Sequence, residues 1–153
     1  MLVQGHMGEL LDVFHRTLDK SNCWLDELRS DLGLADRQHA YRTLRAVLHA
    51  LRDRLSIEEV ADLGAQLPLL LRGMYFEGWR PARRRARVRR QEQFLALVCD
   101  AYGPLDHLDA AKAVAAVFKL LARHVTGGEI DDVRHGLPRD LKRLWPAELR
   151  IDG

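Results

Sequence analysis

Disulfide and zinc chemistry have little material in this sequence. Its two cysteines, Cys23 and Cys99, stand far apart in helical patterns with no CxxC spacing, so they read as free thiols in a reducing compartment, acting as small apolar residues. Long apolar runs are missing too. The longest extend over a few residues, against the roughly 20 that a membrane-spanning helix needs, and Glu9 and Asp12 sit where a signal peptide would carry its apolar core. A cytoplasmic location without membrane contact is the expectation. No alternating run of β-branched residues lies between turn signals, which removes strands and leaves helices. The histidines show no HExxH or comparable ligand spacing, and Gly127-Gly128 is a turn before a capped helix rather than a phosphate-binding loop. Neither a metal nor a cofactor is expected. Lysine supplies only four of the 24 basic residues, a bias that fits a GC-rich genome better than selection for arginine at each site.

What is present suits a globular protein. An apolar content of 47% with 30% charged residues is unlike a disordered chain, and 153 residues are enough for one domain, or for two small ones sharing a core. Gln4-Gly5-His6-Met7 looks like the remnant of a cleaved expression tag, so residues 1–8 are set aside.

The strongest organising signal is internal. Shifted by 70 residues, the sequence matches itself without a gap from Trp24/Phe94 to Tyr75/Trp145, with 12 identities in 52 positions. They include Gly33/Gly103, Asp36/Asp106, Glu59/Glu129, Asp62/Asp132, Leu67/Leu137 and Pro68/Pro138, and apolar positions coincide almost throughout, as at Leu44/Val114, Leu48/Phe118 and Val60/Ile130. The expected architecture is all-α, two pseudo-symmetric four-helix units packed as one helical domain. The first unit spans 9–79, an Arg-rich linker and the start of a fifth helix span 80–90, the second unit spans 91–148, and 149–153 form a tail. Within the first unit a helix from about Glu9 to Leu32 ends at Gly33, and Asp36 caps a second helix carrying Leu44, Val47, Leu48 and Leu51 at helical spacing. Ser56 with Glu59 reads as a capping box opening a third helix, and Thr126 with Glu129 as its counterpart. The fourth helices are expected at Leu67–Trp79 and Pro138–Trp145.

Leu67–Trp79 is the most apolar stretch and lies near the middle of the chain. At about 100° per residue, Leu67, Leu71, Met74 and Tyr75 share one side while Leu69, Gly73 and Phe76 share the other. A helix apolar on two faces is normally buried on two faces. Its counterpart carries Arg139, Asp140 and Arg143 where this helix has Leu69, Leu70 and Gly73, so the apolar excess calls for a surface in the other unit or in another chain.

Trp24-Leu25, the run from Ala40 to Leu55, Leu67-Pro68, Tyr75 to Trp79, Gly128-Glu129-Ile130 and Leu137-Pro138 together resemble the bacterial domain-of-unknown-function family 2267. The resemblance implies an all-helical cytoplasmic protein and carries over no activity, cofactor or functional residue.

Three sets of residues invite a functional reading. Arg80, Arg83, Arg84, Arg85, Arg87, Arg89 and Arg90 place seven arginines in 11 residues; without them the formal net charge of +2 becomes −5. Attraction to nucleic acid or another anion would be confined to this linker, but no aromatics interleave it for base stacking. The carboxylates Glu58, Glu59, Asp62, Glu129, Asp131 and Asp132 fall in first turns of helices, where the helix dipole explains them without catalysis. Leu69, Leu70, Gly73, Phe76 and Trp79 are the candidate partner-binding residues. The expected function is a soluble, non-enzymatic protein-interaction or scaffolding module, with a homodimer as one form of partner. Regulatory nucleic-acid or anion binding through the arginines is the alternative, and an enzyme of unknown reaction a remote one.

Overall fold

Leu44, Val47, Leu48 and Leu51, the stripe read for the second helix, are completely buried, and the elements around them explain why. In a computed structural model, residues 10–82, 87–104 and 107–146 are described, and all their regular structure is helical. The helices are α1 (Asp12–Leu32), α2 (Arg37–Arg52), α3 (Ile57–Ala65), α4 (Leu69–Phe76), α5 (Gln91–Tyr102), α6 (Ala110–His124), α7 (Gly127–His135) and α8 (Arg139–Lys142). Among these residues no helix is long and apolar enough to cross a membrane.

Local chemistry sets most boundaries. Gly33 takes the left-handed conformation at φ 64 that closes α1. Asp36 accepts the His39 N–H at 2.9 Å to open α2, and Asp109 accepts from Lys112 to open α6. Ser56 and Thr126 accept the backbone N–H of Glu59 and Glu129, while extended Pro68 and Pro138 precede α4 and α8. Boundaries recur at the offset found in the sequence: α3 and α7 both start and end 70 residues apart, α4 and α8 start 70 apart, and α1 and α5 end 70 apart.

α4 is shorter than Leu67–Trp79, because Pro68 stays extended and the chain leaves the helix at Glu77 and turns through Gly78 at φ 74. It is also buried on one face rather than two: Leu71, Met74 and Tyr75 face the core. α8 has four residues rather than eight, and α5 begins at Gln91, after the arginines.

α2, rather than α4, is the central element. It packs against α1, α4, α5 and α6, and its contact with α5 is the most extensive in the fold. Its polar side chains also close the ends of other segments. Arg42 Nε donates to the Tyr102 carbonyl at the end of α5 at 2.8 Å, with its guanidinium 4.0 Å from the Tyr102 ring centroid. His49 Nε2 lies 2.8 Å from the Met74 carbonyl, and Arg52 donates to the carbonyls of Tyr75 at 2.8 Å and Glu77 at 2.9 Å. These bonds satisfy orphan carbonyls at the end of α4. Burial, with Arg52 and Arg45 nearby, lowers the His49 pKa, so the neutral ring is the form that donates there.

Helices from the earlier and later parts of the chain pack on one another. α1 packs on α6, α2 on α5, and α3 on α7.

Candidate functional site

α1 is longer than the body it lies on. Thr17, Ser21, Trp24, Leu25 and Leu28 form its buried stripe, and the same helical face continues backward through Phe14, with Leu18 on its edge; extended Leu11 precedes the helix. There it is uncovered: Leu11 is 58% exposed, Phe14 47% and Leu18 40%. The first two turns of α1 therefore carry a core-type face past the end of the core.

α4 begins beside this overhang. The Leu70 N–H donates to Thr17 Oγ1 at 3.1 Å, which fixes the first turn of α4 against α1. Leu69 and Leu70 are 47% and 50% exposed, and Gly73 is exposed with open space over its α-carbon. Phe76 and Trp79 lie elsewhere: both are half-buried, with ring centroids 5.5 Å apart, and Phe76 packs so near Gly64 of α3 that a β-carbon there would meet its ring at 2.6 Å. The five candidate residues thus separate into an exposed trio and an aromatic pair engaged in packing.

Between α1 and α4 runs an open groove of about 560 Å³. Val13 and Leu69 form apolar edges, buried Trp24 and Leu67 belong to its lining, and its charged residues are Arg16, Lys20 and Arg72, with no carboxylate among the lining residues; His124, which also lines it, bonds Glu27 at 2.7 Å. Arg16 and Lys20 are exposed and form no ion pair among the described residues. Arg72 spends its hydrogen bonds on the carbonyls of Gly64, Ala65 and Leu67, closing α3; among the described residues its charge meets no carboxylate.

The residues paired by the 70-residue offset differ in their bonding here. Asp140, the counterpart of Leu70, accepts the Gln91 N–H at 2.8 Å at the start of α5, so it is a cap and not merely a solvated residue. Leu70 has no such task, since α1 runs on past it.

Of the arginines, Arg80, Arg87, Arg89 and Arg90 are exposed, while Arg83, Arg84 and Arg85 lie outside the described residues. Buried Val88 pins the later part of the linker, and its carbonyl accepts from Arg54 at 2.6 Å.

The carboxylates differ from their expected use. Ser56 and Thr126 cap their helices, but Glu59 and Glu129 do not return the bond; each keeps one buried carboxylate oxygen without a hydrogen-bond partner. The contact between α3 and α7 draws them inward, and Glu59 lies against Gly136, where a β-carbon would collide with it. Burial first, then the nearby carboxylates of Asp62, Asp132 and Glu59, raise the Glu129 pKa above its ordinary value. The native state then binds the proton more readily than the unfolded chain, so stability falls as pH rises through the ordinary glutamate range and stays lower above the raised value. Glu129→Gln should therefore melt higher than the native protein at pH 7, with the difference shrinking toward pH 4; equal melting temperatures at both would refute this. Among the described residues no group of three or more His, Cys, Asp or Glu has the geometry to hold a metal ion.

The family model described as an uncharacterized conserved protein, DUF2267, matches residues 21–144. No curated protein matches the chain. The chain belongs to the DUF2267 family.

Proposed function

We propose that this member of the DUF2267 family is a non-catalytic protein-interaction module whose contact surface is the overhang of α1 together with the exposed start of α4. The observation that supports it is that Leu11, Val13, Phe14 and Leu18 around the start of α1 and Leu69 and Leu70 at the start of α4 are all left 40–58% exposed, on two segments tied together by the bond from the Leu70 N–H to Thr17. Single exposed apolar residues are ordinary, but so many large ones on adjoining segments mark an interaction surface. The two halves act as copies of one helical unit, and the interaction surface belongs to the first copy alone, where the chain has leucines in place of arginine and aspartate.

The test is affinity capture from native lysate with the wild type and with Leu69→Arg/Leu70→Asp. Both side chains are largely outside the core, so the variant should change stability by only about 0.5 kcal/mol while losing its partner. Capture that survives in a folded variant would reject the reading.

A second reading, nucleic-acid binding through the linker, has the exposure of Arg80, Arg87, Arg89 and Arg90 in its favour. Retention on DNA at low salt that disappears with added salt and with Arg→Ala at these positions would support it, and no retention at low salt would end it.

A further inference from the structure

We infer that the groove between α1 and α4 receives an acidic amphipathic helix from a partner protein, its apolar face set between Val13 and Leu69 and its carboxylates toward Arg16, Lys20 and Arg72. This rests on the interaction reading above and assigns the chemistry of the partner.

Two properties of the groove select that occupant. Val13 and Leu69 at its edges offer apolar contacts to the i, i+3, i+4 face of a helix, the way helix-in-groove recognition works, while the rest of its exposed lining is largely polar. Its permanently charged side chains are of one sign: Arg16, Lys20 and Arg72 line it with no carboxylate among the lining residues, while the His124 ring that also lines it is already bonded to the Glu27 carboxylate at 2.7 Å. Arg16 and Lys20 sit one turn apart on α1, so their charges lie roughly 6 Å apart along the axis and match acidic residues at the same spacing on a helix alongside. Arg72 is held in place by three carbonyls, which keeps its guanidinium ordered before any partner arrives. A neutral or basic helix of the same shape would leave these cations against apolar or like-charged surface, which costs binding.

The test uses fluorescence anisotropy with a labelled synthetic peptide of about 14 residues, roughly four helical turns, with Leu at i, i+3, i+4 and i+7 and Glu on the remaining faces. The control peptide carries Lys in place of Glu. The Glu peptide should bind saturably to the full chain and weaken with added salt. Arg16→Glu/Lys20→Glu, both at exposed positions, should lose about tenfold or more in affinity for it, corresponding to about 1.4 kcal/mol, and should gain affinity for the Lys peptide. Failure of the Glu peptide to bind, equal binding of the two peptides, or an unchanged affinity in the charge-reversed protein would each overturn the assignment. Tighter binding to phosphatidylglycerol vesicles than to the peptide would overturn it in favour of a lipid surface. If the peptide fails while capture still depends on Leu69 and Leu70, the acidic chemistry alone is wrong; if capture also ignores those leucines, the interaction reading falls with it.

Discussion

Trp145→Ala should destabilise the protein by about 3–5 kcal/mol, the range for removing a fully buried tryptophan. Trp145 has no exposed surface and stacks on Phe118, with centroids 4.2 Å apart and planes inclined by 24°, while Phe118 lies 6.4 Å from Phe94. The three rings join α5, α6 and the chain after α8. Truncation opens a cavity among side chains that belong to three different segments, so local collapse cannot close it. Against a total stability of roughly 5–15 kcal/mol for a typical domain, that is a large share, and the melting temperature should drop by on the order of 10 °C. Urea denaturation followed by circular dichroism gives the free energy directly. Trp145→Phe keeps an aromatic face against Phe118 and should lose distinctly less; a loss under about 1 kcal/mol for the alanine variant would contradict the packing described.

Arg52→Met should cost about 3 kcal/mol. Arg52 is 5% exposed and carries its charge inside the fold, where Nη1 serves the carbonyls of Tyr75 and Glu77 and Nε pairs with Asp53 at 2.9 Å. Methionine preserves most of the packed stem, so the loss reports on the unpaired carbonyls and carboxylate left behind. Amide hydrogen exchange should localise it, with protection of Glu77 and Trp79 reduced before that of α2. Those N–H groups bond to Met74 and Phe76 at the turn Arg52 secures. Uniform loss of protection across α2 and α5 would instead point to a general core defect. The counterparts of Arg52 and His49 70 residues on are Ala122 and Lys119, so the pair of side chains that closes α4 is not repeated at those positions of α6.

Helix identity was legible wherever one segment decides it. Gly33, Asp36, Ser56, Asp109 and Thr126 act locally, and the stripe of Leu44, Val47, Leu48 and Leu51 needs only a period. What escaped depends on which helix lies against which. Ser56 to Glu59 and Thr126 to Glu129 carry the capping-box pattern, yet the packing of α3 on α7 competes for both glutamates and wins. Arg52 is turned inward by α4, whose carbonyls it meets, and no local pattern in α2 announces that neighbour; the Arg52/Ala122 difference at the 70-residue offset was the available signal. Phe14 and Leu18 had core spacing, but sequence cannot show that the body stops short of them. For the candidate site, comparison of the repeats located Leu69 and Leu70 through Arg139 and Asp140, while the basic groove beside them joins residues more than fifty apart and leaves no trace in spacing.

The pairing of α2 with α5 has a consequence during synthesis. Some 38 residues separate the end of α2 from the start of α5, and at roughly 5–20 residues per second a nascent chain holds the apolar face of α2 for seconds before its main partner emerges. The principal contact also closes a long loop, which slows folding relative to bundles built from neighbouring helices. During that interval α1, which packs on α2, is the earlier helix among the described residues able to shield it, and its length then offers the growing chain a provisional cover.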